Sequence, residues 1–422
     1  MMVRTERLKN GITVIMEQIP YVKSASIGVW IKVGSAYESK SNNGISHVIE
    51  HMVFKGTSNR SSKEIADAIA SVGGNLDAFT SKDCTCFYAR TLQEHLYTAI
   101  DIISDMIQRP LVNGNDLKKE LGVISDEIDM YEDSPEDVVH EHLQREVWKD
   151  HPLGYIISGE KDVVSSFSRK QVLEFMGEHY VAENIYISLA GSFDDDEMLD
   201  YLNKEFGGIK QGGTQPSLST PEYGACFYLK EKEIEQSHVI LAYESIPVMH
   251  KDRYILTVIN SIIGGNVNSR LFQAVREDLG LAYAIYSYGS SFEKAGLFQI
   301  YAATGSEQIP EVIKAVLNTI DDMKANAITE KELAITKELI KTELIIGSES
   351  TQSRMNNNAK SMMNQGAVIS LDMIISQING VSLNDIKRFM NQYFDHQRAS
   401  VSIVGDVKNI NTVKIKGMLD SR

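Results

Sequence analysis

Two histidines and a glutamate lie close together in the segment GISHVIEHMVFKG, which runs from Gly44 to Gly56. The flanking glycines predict a helix that begins near Gly44 and ends near Gly56. On such a helix His51 lies about 40° around the axis from His47, and Glu50 lies about 60° to the other side. All three side chains therefore project from one face. Two histidines one turn apart can chelate Zn²⁺, and a neighbouring glutamate can take a proton from water at the metal.

This short pattern leaves a second interpretation open, namely two structural histidines and a surface glutamate. A hydrolytic zinc site normally has three protein ligands and one water, so the catalytic interpretation requires a third ligand elsewhere. A helix predicted to begin near Asn115 offers candidates. The apolar residues that form its buried stripe, at helical spacing, are Leu117, Leu121, Ile124, Ile128 and Tyr131.

Two glutamates of this second helix, Glu120 and Glu127, lie on the border of the stripe, one above the other. Asp126 and Asp129 point to solvent, so Glu127 is the acid of the cluster SDEIDMYED that can face the core. For either glutamate taken alone, a solvated edge position is the alternative. Two stacked carboxylates beside a buried face carry a desolvation cost that a cation offsets.

Longer-range patterns predict the fold that holds these helices. The segment 211–222, QGGTQPSLSTPE, indicates an exposed linker between two halves, 1–210 and 223–422. In each half a capped helix precedes a strand, which ends at Gly191 and Gly405, an offset of 405 − 191 = 214 residues. Two strands also open each half, GITVIMEQ and SASIGVWIKVG, then GACFYLKEKE and SHVILAYESI. The prediction is an α+β fold of two homologous domains, each a mainly antiparallel sheet backed by helices.

The composition narrows the class of function. The 422 residues include 42 basic and 57 acidic side chains, which give a formal net charge of −15 and a pI near 5.2. Such an acidic balance disfavours partners that are nucleic acids or anionic membranes. Three cysteines cannot form a disulfide framework, and neither an apolar leader nor a run of about 18 apolar residues occurs. The expected location is the cytoplasm, with no membrane span.

The motif and its surroundings resemble a known family. H-x-x-E-H is the inverted zinc-peptidase motif, and 75 residues separate His51 from Glu127. These features are similar to the pitrilysin and insulin-degrading-enzyme family of metallopeptidases. The chain looks most like the half-size branch, which includes mitochondrial processing peptidase and bacterial processing-peptidase-like proteins. The segments that carry the resemblance, in family order, are NGITVIMEQIP, GISHVIEHMVFKGT, GGNLDAFTSKDCTCFYART, VISDEIDMYEDSPEDVVHEHL and HPLGYIISG.

The resemblance implies a role for each matching residue. It makes His47, His51 and Glu127 the ligands of a Zn²⁺ cofactor. It makes Glu50 the general base, which takes a proton from water and passes it to the leaving amine, and Glu120 an auxiliary acid that supports the site. The metal would lower the pKa of its water and polarise the peptide carbonyl.

The resemblance also implies a contribution from the second half. Arg276 and Tyr283 resemble the family's Arg/Tyr pair, which anchors a substrate carbonyl and donates a hydrogen bond near the scissile bond. In half-size relatives the pair comes from the partner subunit, which implies a homodimer with composite active sites around an enclosed chamber. From the residues alone, a surface arginine and a core tyrosine remain the alternative.

The segment Asp77, Ala78, Phe79 and Thr80 resembles the family's edge strand, to which a peptide substrate adds through backbone hydrogen bonds. Asp77 departs from the family, in which asparagine is common, and an aspartate cannot donate a hydrogen bond as the amide does.

Two functions compete on this basis. The first is a zinc-dependent endopeptidase or oligopeptidase that hydrolyses peptides or unfolded polypeptides. The alternative is a non-catalytic or heterodimer-dependent subunit of a processing-peptidase-like complex. Such subunits usually lack part of the zinc motif, whereas this chain carries both the H-x-x-E-H segment and the later glutamate.

Overall fold

The computed structural model describes residues 3–212, 217–325, 328–408 and 410–421. The strands are β1 (Val3–Arg7), β2 (Thr13–Gln18), β3 (Ser24–Ile31), β4 (Asn75–Thr80), β5 (Thr85–Leu92), β6 (Ile185–Gly191), β7 (Phe227–Glu231), β8 (Ser237–Ser245), β9 (Ala282–Ser291), β10 (Gly296–Thr304) and β11 (Ser400–Gly405). The helices are α1 (Ile45–Val53), α2 (Ser62–Ser71), α3 (Leu96–Gln108), α4 (Gly114–Asp133), α5 (Pro135–Val147), α6 (Lys161–Ser165), α7 (Arg169–His179), α8 (Asp195–Phe206), α9 (Arg253–Ile263), α10 (Ile309–Lys324), α11 (Glu330–Gly347), α12 (Thr351–Gln365), α13 (Leu371–Asn379), α14 (Leu383–Tyr393) and α15 (Thr412–Asp420).

The chain forms two units, each built on one sheet. The first sheet has six strands in the order β1-β2-β6-β3-β5-β4, and only the β2–β6 pair is parallel. The second has five strands in the order β7-β11-β8-β10-β9, and only the β7–β11 pair is parallel. From β2 and from β7 onward the two orders are the same, as duplication predicts. The predicted fold class, two α+β domains with mainly antiparallel sheets, is confirmed.

The two strands that open each half are not neighbours in the sheet. The late strand β6 lies between β2 and β3, and β11 lies between β7 and β8. The burial of these strands agrees with this position, because six of the seven residues of β6 and all six of β11 are buried. A strand that is covered on both faces belongs in the middle of a sheet, where it has neighbours on both sides.

Each unit also takes a helix from the opposite half of the sequence. The first unit comprises Met1–Asp129, Tyr155–Leu218 and Ile346–Ile369, and its α12 packs on β6 and β3. The second comprises Met130–Gly154, Ser219–Ile345 and Ser370–Arg422, and its α5 packs on β11 and β8. The boundaries 1–210 and 223–422 stay a prediction, and residues 213–216 of the predicted linker 211–222 lie outside the described residues.

The core of the first unit fixes the helices that carry the chemistry. On α1 the apolar side chains of Val48, Ile49 and Met52 are fully buried, and on α4 so is that of Ile124. These residues join one hydrophobic cluster with strands β2, β3 and β6 and with α3. Helices packed this closely cannot rotate without opening cavities, so the polar side chains on their other faces have fixed directions.

A buried aspartate holds the loop that follows α1. Asp105 on α3 is only 1% exposed. Its oxygens accept hydrogen bonds from Thr57, Asn59, Arg60 and Arg109, at distances of 2.6, 2.6, 2.8 and 3.1 Å. Burial raises the pKa of Asp105, but these hydrogen bonds outweigh it and hold the pKa below its ordinary value.

Asp105→Asn is expected to lower the free energy of unfolding by about 2–4 kcal/mol, because it leaves buried donors without a charged acceptor. Asp101 also pairs with Arg60, at 2.5 Å, but its side chain is 41% exposed. The matched variant Asp101→Asn should therefore cost less than about 1 kcal/mol. Urea denaturation of both variants measures the difference, and equal losses would contradict the account of the loop.

Candidate metal centre

The helix that carries both histidines begins at a glycine and is capped from a distance. Gly44 has φ 96°, a backbone conformation that favours glycine. Because glycine has no side chain, this cap residue cannot accept hydrogen bonds from the free N–H groups of the first turn. The buried carboxylate of Glu38 does so instead, accepting hydrogen bonds from the backbone N–H groups of Gly44 and Ser46 at 2.7 and 2.9 Å. Burial raises the pKa of Glu38, while these bonds oppose the shift. A carboxylate at this end also complements the helix dipole.

The structure brings His47, His51 and Glu127 together. One possible ligand atom from each side chain lies within 4.8 Å of the others, the one such group in the described part of the chain. Glu127 Oε1 is 3.9 Å from His47 Nε2, and Glu127 Oε2 is 3.6 Å from His51 Nε2. The two imidazole rings meet edge to face, with their centres 4.6 Å apart. Residues from α1 and α4 therefore converge as the sequence predicts, while their roles as ligands stay a prediction.

This cluster fits a zinc ion by the chemistry of its donors. Two imidazoles and one carboxylate form a common donor set of catalytic zinc. Ligand atoms on a tetrahedral ion at 2.0–2.2 Å are about 3.3–3.6 Å apart, close to the two N–O separations observed. Burial, and then the neighbouring His51, lower the pKa of His47 to about 4. The imidazole is therefore neutral near pH 7, which is the form that binds a metal.

Glu120 lies behind the cluster. Its side chain is 8% exposed, and its Oε1 lies 2.9 Å from His51 Nδ1. The hydrogen bond fixes the ring so that Nε2 faces Glu127. A carboxylate on the outer nitrogen of a metal-binding histidine is a frequent feature of such sites. The family resemblance implies that Glu120 is an auxiliary acid, which stays a prediction, and the structure places it against His51.

Glu50 projects beside the histidines, on the same helix. The hydroxyl of Thr80, at the end of β4, donates a hydrogen bond to Glu50 Oε2 at 2.5 Å. Burial raises the pKa of Glu50, and the Thr80 hydrogen bond opposes the shift. Thr80 thus links the predicted base to the predicted substrate strand.

That strand, β4, lies at the edge of the first sheet and pairs only with β5 among the described strands. An edge strand of this kind has a side without a partner strand, where an extended segment can add to the sheet. Ala78 and Phe79 are half-buried, whereas Asp77 is exposed and accepts hydrogen bonds from the Ala78 N–H, at 2.8 Å, and the Tyr88 hydroxyl, at 3.2 Å. Asp77 is therefore already engaged within the chain.

The remaining predicted pair lies in the second unit. Arg276 belongs to a π-helical segment, Phe272–Asp278, and its guanidinium lies 4.8 Å from the ring centre of Phe272 and 5.4 Å from that of Tyr283. Tyr283 is 73% exposed, near the start of the edge strand β9. The structure thus places Arg276 and Tyr283 side by side, with the tyrosine open to solvent.

Sequence reasoning missed three residues that support the site, Glu38, Asp105 and Lys55. Lys55 Nζ lies 2.7 Å from Glu120 Oε2. Its position four residues after His51, one helical turn, is a signal that could have indicated it. Glu38 lies six residues before Gly44, which is outside the usual capping positions, so the helix-capping pattern does not indicate it. Asp105 escapes the local pattern because Thr57, Asn59 and Arg60 precede it by 45 to 48 residues.

Comparisons with known proteins identify the family of this chain. The family described as insulinase, peptidase family M16, matches residues 13–161, and the peptidase M16 inactive domain matches residues 166–340. An uncharacterized zinc protease of Bacillus subtilis is 40% identical over 408 residues, 96% of this chain and 100% of that protein. A second, from Streptomyces coelicolor, is 33% identical over 96% of this chain and 90% of its own length.

Solved structures share the fold at lower identity. A protease from Helicobacter pylori superposes with a TM-score of 0.89 at 21% identity, over 96% of this chain and 99% of that one. A chain of complex III2 from Candida albicans gives 0.86 at 19% identity, over 99% and 100%. Among the described residues, no helix has the length and apolar character needed to cross a membrane. The predicted family is confirmed, and the chain belongs to the insulinase family of peptidases, peptidase family M16.

Proposed function

We propose that this chain is a zinc-dependent endopeptidase or oligopeptidase that hydrolyses peptides or unfolded polypeptides. The observation that carries the proposal is the convergence of two imidazoles and a carboxylate from α1 and α4, with a further carboxylate beside them. The names of the relatives, zinc proteases, support the same activity.

In this proposal His47, His51 and Glu127 hold the metal. A zinc ion bound there supplies a more acidic water and polarises the carbonyl of the scissile bond. Glu50 takes the proton of the attacking water and passes it to the leaving amine. The hydrogen bond from Thr80 occupies Oε2 of Glu50, which keeps the carboxylate in one orientation and leaves Oε1 for the proton.

The substrate adds to β4 as an extended strand. Residues 77–80 lie on the edge strand of the first sheet, and the outward backbone groups of this strand pair with the substrate, apart from the Ala78 N–H, which donates to Asp77. Thr80 at the end of this strand contacts Glu50. Peptide held by backbone pairing beside Thr80 therefore runs past the base. Because backbone groups make these contacts, binding depends little on substrate side chains.

Arg276 and Tyr283 complete the site from a second copy of the chain, in a homodimer that encloses a chamber. The exposed tyrosine and the adjacent guanidinium are suited to donate hydrogen bonds to a substrate carbonyl and to the oxyanion. Neither side chain belongs to the hydrophobic core of the second unit, which supports a role in contacts with another molecule.

A non-catalytic or heterodimer-dependent subunit remains the second candidate. The solved structures that share the fold of this chain include a chain of a complex III2 structure. The complete set of two histidines, Glu50 and Glu127 favours the catalytic proposal. Burying these polar side chains next to one another costs free energy, and a non-catalytic subunit gains nothing from that arrangement.

Glu50→Gln should bind as much zinc as the wild type and lose about 10²–10⁴-fold in kcat/KM for a quenched fluorescent peptide, since only the proton acceptor is removed. The measurements are zinc per chain by atomic absorption and initial cleavage rates. Near wild-type cleavage by this variant would refute the mechanism.

Glu127→Ala should lose zinc and activity together, because two imidazoles alone bind the ion weakly. Asp126→Ala is the matched control, since Asp126 is the preceding residue on α4 and is exposed. It should retain both properties. Zinc titration and peptide cleavage of the two variants, before and after chelation, test the assignment, and equal zinc affinity in both would remove Glu127 from the site.

Mixing two inactive variants tests the composite site. Glu50→Gln and Tyr283→Phe chains, dissociated and reassociated, should recover about a quarter of the wild-type activity, because half of the randomly formed dimers hold one intact site out of two. Each variant reassociated alone is the control, and sedimentation gives the oligomeric state. Absence of recovery in mixed dimers would place Tyr283 in the same chain as its metal site, and a monomer would exclude the composite site.

A further inference from the structure

Lys55 is the one cation that contacts Glu120 in the described ion pairs. It follows the end of α1, where its backbone N–H bonds the carbonyl of Met52 at 3.1 Å. Its ammonium lies 2.7 Å from Glu120 Oε2, and its side chain is 35% exposed. The stem is thus partly covered while the charge meets a buried carboxylate.

The two oxygens of Glu120 have different partners. Oε1 accepts from His51 Nδ1 at 2.9 Å, and Oε2 meets the Lys55 ammonium. A carboxylate buried to this extent needs a compensating charge, since an unpaired one is strongly disfavoured. With Oε2 held by the lysine, Oε1 can turn only toward the histidine. The contacts therefore form a chain from Lys55 through Glu120 to His51, whose Nε2 faces Glu127 at 3.6 Å.

The loop after α1 keeps this lysine in place. Gly56, with φ 116°, follows it, and the Gly56 carbonyl accepts a hydrogen bond from Leu111 N at 3.0 Å. Thr57 is bound to Asp105 at 2.6 Å. Lys55 therefore lies between the last turn of a buried helix and a clamped loop, which fixes its backbone and so the point from which its side chain reaches Glu120.

We propose that Lys55 is a positioning residue of the metal centre. Its ammonium orients the Glu120 carboxylate, which accepts the Nδ1–H of His51 and so presents the Nε2 lone pair to the metal. This inference rests on the proposed function, because it assumes that His51 binds zinc. The competing view is an ordinary surface ion pair, which contributes to stability but does not affect the metal.

The test measures zinc affinity by competition with a chromophoric chelator, and the melting temperature of the metal-free protein. Lys55→Met, which keeps the stem and removes the charge, should raise the Kd for zinc by about tenfold, the low end of the range for losing the outer partner of a ligand, because Glu120 stays present but is no longer oriented. Lys55→Arg should stay within about threefold of the wild type, because it keeps a cation that can reach the carboxylate. Lys63→Met is the control, since Lys63 is 82% exposed and pairs with Asp67 on α2. It should leave the Kd unchanged.

A double-mutant cycle separates positioning from general electrostatics. In a Glu120→Ala background, Lys55→Met should change the Kd by less than about twofold, because the lysine then has nothing to act through. If the effects of the two substitutions on the Kd are fully additive, the proposal is overturned. A Kd within about twofold of the wild type for Lys55→Met also overturns it, and so does a rise in Kd for Lys55→Arg equal to that for Lys55→Met. A variant that melts lower while its folded fraction binds zinc normally also overturns it.

The failure of this inference is distinguishable from failure of the proposed function. If the wild type binds zinc and cleaves peptide while Lys55→Met does the same with unchanged affinity, only the role of Lys55 falls. If the wild type binds no zinc at this site, the peptidase proposal falls and the inference with it.

Discussion

The desolvation of polar side chains on α1 and α4 is the constraint on which the rest of the structure depends. The helices are fixed by apolar burial on one side, and this directs two imidazoles and the three carboxylates of Glu50, Glu120 and Glu127 into one small region on the other. The free-energy cost of burying these polar groups is reduced because His47 is neutral and Glu120 forms an ion pair with Lys55. The remaining donors, the two Nε2 atoms and the Glu127 carboxylate, face one another at separations too long for good hydrogen bonds and suited to a shared cation.

The two units of this chain have like topology but carry different side chains at corresponding places. In the first, α1 follows β3 and carries the histidines. In the second, α9 follows β8 at the corresponding place in the chain, with the sequence RYILTVINSII, which has neither histidine nor acid. The second unit instead presents Arg276 and Tyr283 beside its edge strand. In the proposed peptidase, the first unit carries the metal donors and the second unit supplies hydrogen-bond donors, so the active site needs both kinds of unit.

The sequence predicts those features that local spacing determines. His47, Glu50 and His51 share a helical face by simple periodicity, and the buried stripe on α4 distinguishes Glu127 from its exposed neighbour Asp126. Periodicity states which residues are buried but not what covers them. The insertion of β6 between β2 and β3, and the packing of α12 on the first sheet, therefore could not be predicted from the pattern. Asp105 could not be predicted for the same reason, since Thr57 precedes it by 48 residues. Glu38 is close in sequence to the groups that it caps, but the irregular turn between them hides its role from a periodic pattern.

The central claim is that one zinc ion binds among His47, His51 and Glu127, and crystallography at the zinc absorption edge tests it most directly. The account predicts one anomalous peak per chain, about 2.0–2.2 Å from the Nε2 atom of each histidine and from a carboxylate oxygen of Glu127. No peak there in crystals of zinc-saturated protein, or a peak that excludes either histidine, would contradict it.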